Sequence, residues 1–122
     1  MKLVRYGPIG QENPGLIDSD GNIRDLSAHV GDITGDVLSD ESLAGLAVID
    51  PATLPLVEGP VRYGACVGNI GKFLCIGLNY SDHAAETGAT PPDYPILFFK
   101  ANSAICGAND IVSVPRQSKH SD

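Results

Sequence analysis

His83 and Glu86 stand three positions apart, with Ala84 and Ala85 between them, in the run CIGLNYSDHAAETG from Cys75 to Gly88. On a helix that spacing puts both side chains on one face at contact distance. A carboxylate beside an imidazole orients the ring and stabilises its protonated form, as a general base acting on water requires. The same pair is common on solvated helix faces, where it contributes only about a few tenths of a kcal/mol. Placement favours chemistry, because the pair follows an apolar strand through a Gly-Leu-Asn-Tyr turn, and loops at strand ends are where rigid scaffolds display reactive groups.

Other constellations in the chain lose their case on inspection. Asp18, Asp20 and Asn22 invite a calcium loop, but the glycine falls at the fourth position of the run rather than the sixth, and His29 stands where a bidentate acid should close it. A plain turn is the better reading. Gly68-Asn69-Ile70-Gly71-Lys72 resembles part of a phosphate loop, yet Cys66 occupies the position of the first glycine and Phe73 that of the magnesium-binding hydroxyl. Cys66, Cys75 and Cys106 form no Cys-x-x-Cys pair, and His83 and His120 lie at no zinc-ligand spacing from them, so structural zinc is not expected.

The elements that must position the His/Glu pair follow from the flanking patterns. Lys72 to Gly77 is a continuous apolar run and predicts a buried strand. Asn79 or Ser81 would cap the helix, Asp82 suits its positive end, and Gly88 suits a left-handed C-terminal stop. Tyr94 to Lys100 predicts a second apolar strand, Gly107 to Asp110 a turn, and Ile111 to Pro115 a third short strand. Upstream, Lys2 to Tyr6 reads as a strand, and Leu16-Ile17 and Ile23 to Leu26 as a hairpin turning at Asp18 to Asn22. Asp36 to Ala47 fits a short amphipathic helix or two helical turns capped by Ser39 or Asp40, Asp50-Pro51 a helix start, and Leu54 to Pro60 an extended connector. The region before Arg62 gathers no nucleophile, base or metal ligand and reads as scaffold.

Composition bounds the partners. The 122 residues are 43% hydrophobic and 19% charged, which suits a folded globular chain. Eight basic against fifteen acidic residues give a formal net charge of -7, the wrong sign for gripping nucleic acid or anionic lipid. No window approaches the roughly 18 apolar residues of a membrane span. With no leader pattern and an odd number of thiols, the expected compartment is the cytoplasm.

GLNYSDHAAE, the segment Pro95 to Lys100 and the Gly-x-Asn-Asp turn before a proline-ended strand together resemble the fumarylacetoacetate hydrolase family. The resemblance covers about the last fifty residues, and the region before it looks like the small N-terminal domain of many bacterial members. It implies an α+β protein with a small N-terminal α/β domain and linker over 1–65. The beginning of a β-rich catalytic domain would occupy 66–122, with a lid helix near 80–87. It further implies cleavage of a carbon-carbon bond in a small 2,4-dioxo acid, with ureidoglycolate lyase or hydroxyhepta-dienedioate isomerase chemistry as alternatives. By the resemblance His83 and Glu86 are the water-activating dyad and Lys100 faces the substrate. Magnesium or manganese would be held by acids that the family places beyond Asp122, so the chain is expected to be the N-terminal part of a longer, homodimeric enzyme and inactive alone. A reading from another class is a non-enzymatic binding or assembly module whose apolar strands, such as Ile96 to Phe99, are covered by a partner or second copy.

Overall fold

The computed structural model describes residues 1–119. They form two compact units, one comprising Met1–Gly68 with the segment from Cys106 onward, the other Asn69–Ile105. Strands and helices are mixed, as the expected α+β class requires.

The first unit is built on a three-stranded antiparallel sheet in sequence order: β1 (Lys2–Tyr6), β2 (Asn13–Ile17) and β3 (Ile23–Asp25). Its register pairs Leu3 with Leu16 and Ile17 with Ile23. The hairpin turn closes through Asp18, whose Oδ1 accepts the amides of Asp20 and Asn22 at 3.0 and 2.9 Å while Oδ2 accepts Arg24 Nε at 2.8 Å. Gly21 supplies the positive φ, +87°, that this turn needs. Both oxygens of Asp18 thus serve the turn, which is why the Asp/Asn run there is local architecture.

Helix α1 (Asp40–Ala47) starts where Ser39 accepts the amide of Ser42, and the preceding residues from Asp36 form only turns. Asp50 caps a 3-10 turn over Pro51–Thr53 by accepting the Ala52 amide at 2.9 Å. The connector behind it runs beside β3, with hydrogen bonds from Asp25 to the Pro55 carbonyl and from Val57 to the Ile23 carbonyl, both 2.9 Å. The core joins Leu16, Leu26, Leu46 and Leu54, with Leu3, Val30, Val37 and Ile49 packed around it. Tyr6 is also buried and donates its hydroxyl hydrogen to the Asp25 carboxylate, so its polar end keeps a partner.

The second unit is a two-stranded antiparallel sheet, β4 (Phe73–Gly77) and β5 (Ile96–Lys100), with helix α2 (Ser81–Glu86) between them in sequence. Here the structure corrects the expectation of a buried strand. β4 alternates half-buried and exposed residues, and β5 is exposed throughout. Two strands of five residues have no second layer to cover a full face. Leu74, paired with Phe99, and Ile76, paired with Leu97, therefore remain 44–66% exposed on one face. The strand expected over Ile111 to Pro115 is also absent: those residues pair with nothing as a ladder, and β propensity alone does not make a strand.

Candidate active site

β4 ends at Gly77, and Leu78 then takes a left-handed backbone with φ of +49°. Only after that reversal does the chain enter α2. Tyr80, not Asn79 or Ser81, occupies the N-cap position, and no side chain there bonds the helix start. The expectation of an Asn or Ser cap fails because the reversal at Leu78 sets the helix entry one residue away from either. Asp82 instead accepts the His83 amide at 2.9 Å, an acid placed at the positive end.

The other end follows the sequence closely. Gly88, with φ of +67°, donates to the Ala85 carbonyl at 3.1 Å, and Ala89 donates to Ala84 at 2.8 Å, the paired bonds of a left-handed stop. Thr87 adds its hydroxyl to the His83 and Ala84 carbonyls. Ala84 is wholly buried and anchors the helix, while His83 and Glu86 are exposed.

The two members of the pair thus sit about one turn apart on a closed, short helix. Among the described residues neither side chain has an ion pair, and no hydrogen bond joins them. The helix presents the two groups side by side to solvent. Such a pair has the components of a water-activating base and its orienting acid.

Lys100 closes β5 opposite Phe73, the first residue of β4. It therefore stands at the end of the sheet where β4 begins, whereas the turn toward α2 leaves from the other end. Lys100 is exposed, and no ion pair or hydrogen bond links it to His83 or Glu86 among the described residues. A cleft of about 400 Å³ opens at the Leu78 turn, lined by Ile76 to Asn79, Ser81 and the segment Pro91 to Pro95. Neither the His/Glu pair nor Lys100 lines it.

No group of three His, Cys, Asp or Glu residues that could hold a metal exists among the described residues. The side chains of the described residues do not fit a magnesium or manganese centre. Cys66, Cys75 and Cys106 are free thiols. Asp122 and His120 lie outside the described residues.

Sequence patterns passed over an electrostatic cluster centred on Arg62. Arg62 donates Nε and Nη2 to the Asp110 carboxylate at 2.6 and 2.7 Å, and Nη1 to Glu12 at 2.8 Å. Hydrogen bonding to Arg62 is the main reason that the Glu12 and Asp110 carboxyls are held below the usual range and the guanidinium is pushed upward. Its members are 48 and 50 residues apart, so no local spacing could have announced it. The one available signal was Gly107 placed three residues before Asp110, where the acid accepts the Gly107 amide at 2.6 Å.

No helix among the described residues is long and apolar enough to cross a membrane. Residues 72–122 match the model of the fumarylacetoacetate hydrolase C-terminal domain. Over its whole length the chain is 62% identical to proteins of Burkholderia lata and Burkholderia ambifaria, and 61% identical to one of Burkholderia cenocepacia, each carrying the name "Putative hydrolase". In every case the chain spans 43% of the relative's length. The segment bearing β4, α2 and β5 is also the segment that the family model covers. From residue 72 onward, the chain is thus similar to the fumarylacetoacetate hydrolase family, in the stretch that matches its C-terminal domain.

Proposed function

We propose that this chain contributes a water-activating pair to a hydrolase of the fumarylacetoacetate hydrolase family that cleaves a carbon-carbon bond in a small 2,4-dioxo acid. The observation that carries the reading is helix α2. It exposes His83 and Glu86 on adjacent turns directly after β4, inside the family-matched segment, while Ala84 anchors it. His83 takes a proton from water and Glu86 steadies the imidazolium that results. Lys100 belongs to the same proposal as the cation that balances negative charge developing on the substrate.

The domain division near residue 65, a homodimer and a cytoplasmic setting go with the parent enzyme in this reading. So does magnesium or manganese, with ligands supplied by residues other than those described. Lyase or isomerase chemistry on a related oxo acid is the alternative for the same pair. A second reading, a non-enzymatic assembly module, draws on one observation, the open apolar face of Leu74, Ile76, Leu97 and Phe99.

The test uses the longer protein. His83→Ala and Glu86→Gln are each expected to reduce acylpyruvate cleavage by about a hundredfold or more, in line with the loss of general-base assistance. Full activity in His83→Ala would overturn the dyad. Absence of any cleavage by the unaltered protein, with or without added magnesium, would favour the assembly reading.

A further inference from the structure

The family match begins at residue 72, so it gives the N-terminal residues no role. Their charges nevertheless form one continuous chain. Asp32 accepts Nε and Nη2 of Arg5 at 2.6 and 3.1 Å, Arg5 reaches Glu12 at 3.5 Å, Glu12 accepts Arg62, and Arg62 turns its remaining fork onto Asp110. Four members precede the family-matched segment and the fifth lies within it. Their side chains are only 9–31% exposed. An isolated exposed pair contributes little because water and salt screen it and two long side chains must be ordered. Here one guanidinium serves two acids in fork geometry, which supplies direction as well as attraction.

Shape complements charge at the same place. The Tyr63 carbonyl lies where a β-carbon on Gly107 would have to go, so only glycine admits this approach. The Gly7 carbonyl accepts Arg62 Nη1 at 3.1 Å and steadies the guanidinium from behind. Asp110 closes its own turn, accepting the Gly107 amide through Oδ2 and donating its amide to the Gly107 carbonyl at 3.1 Å. Glu12, Arg62 and the carbonyls of Gly7 and Tyr63 therefore make a socket that selects a Gly-x-x-Asp turn by charge at one end and by the absence of a side chain at the other.

We propose that the N-terminal residues act as a docking platform for the Gly107–Asp110 turn, which lies in the same compact unit, with Arg62 as the positioning residue. The role is independent of the catalytic reading. It concerns where the chain beyond β5 is held, whatever chemistry the parent protein performs.

Amide hydrogen exchange on the full-length protein tests it without any substrate, so its outcome and that of the cleavage assay are separable. In Arg62→Gln, exchange at Gly107 and Asp110 is expected to speed up by about tenfold or more while the β1–β2 amides keep their protection, the mark of a local opening. Arg62→Lys, which keeps charge but loses the fork, is expected to fall between. Arg62→Gln combined with Asp110→Asn is expected to act non-additively, as partners in one interaction do. Unchanged exchange at the two amides, or strict additivity, would overturn the platform. Should Arg62→Gln also lose β1–β2 protection, the milder Arg62→Lys decides by the same two amides.

Discussion

Arg62 and Asp110, 48 residues apart in the chain, meet through two hydrogen bonds of 2.6 and 2.7 Å from one guanidinium edge to both carboxylate oxygens. That contact joins the connector that follows α1 to the turn that follows β5, and it does so within a single compact unit. Several measurable consequences depend on it or on the local geometry of the second unit.

Acid should weaken the first unit in a particular way. The Glu12, Asp32 and Asp110 carboxyls are held below the usual range, chiefly by guanidinium hydrogen bonds. A lowered folded pKa means that the unfolded chain takes up protons first, so the stabilisation is fully present above the unfolded value of about 4 and is lost as pH falls through the folded values. Urea midpoints should therefore drop below about pH 4. Arg62→Gln, which removes the main cause for two of the three acids, should flatten that drop; an unchanged acid slope would contradict the assignment.

Gly107→Ala should be more harmful than a surface glycine substitution. Its β-carbon would collide with the Tyr63 carbonyl, a backbone atom that cannot swing away. The expected cost is about 1–3 kcal/mol, the range for forced overpacking. Gly35→Ala, where no atom lies within reach of the added carbon, is the control and should change the denaturation midpoint little.

Leu78 offers a test of backbone strain at the entry to α2. Its φ of +49° is a region that Asn tolerates and a β-branched residue does not. Leu78→Val, the closer match in hydrophobicity, should destabilise by about 1 kcal/mol or more, whereas Leu78→Asn should keep the turn with less penalty. Thermal unfolding of the two variants orders them, and the reverse order would show that side-chain burial rather than backbone conformation governs this position.

The two units should answer apolar truncation differently. Leu26, 1% exposed in the core, should lose about 2–5 kcal/mol on Leu26→Ala. Phe99, 66% exposed, should lose little on Phe99→Ser in the 122-residue chain, and removal of this apolar surface should make that chain more soluble. Light scattering at increasing concentration and urea denaturation separate the two effects. A large stability loss in Phe99→Ser would mean that the face is covered in solution.

Local order was legible in the residues themselves. The Asp18 to Asn22 turn, the Ser39 cap, the Asp50-Pro51 start and the Gly88 stop all appear where short-range hydrogen bonding and backbone preference put them. These features depend on neighbours within about five residues, and a sequence displays its neighbours. The His83/Glu86 spacing was legible for the same reason, as one helical face carried by a helix whose C-terminal end is locally determined.

Tertiary structure decided what proximity in sequence could not express. Whether the run Lys72 to Gly77 is buried depends on what lies across it, and two short strands leave it half open. The entry to α2 turned on the left-handed Leu78, a conformation no propensity assigns to leucine. The register put Lys100 at the far end of the sheet from that entry, and the fold brought Arg5, Glu12, Asp32, Arg62 and Asp110 into one charged chain across long sequence separations. The sequence by itself determined the Asp18 to Asn22 turn, the Ser39 and Asp50 caps, the Gly88 stop and the spacing of the candidate dyad, because those are short-range matters. Burial, register and the Arg62 socket are relations between distant segments, and only the folded chain sets them.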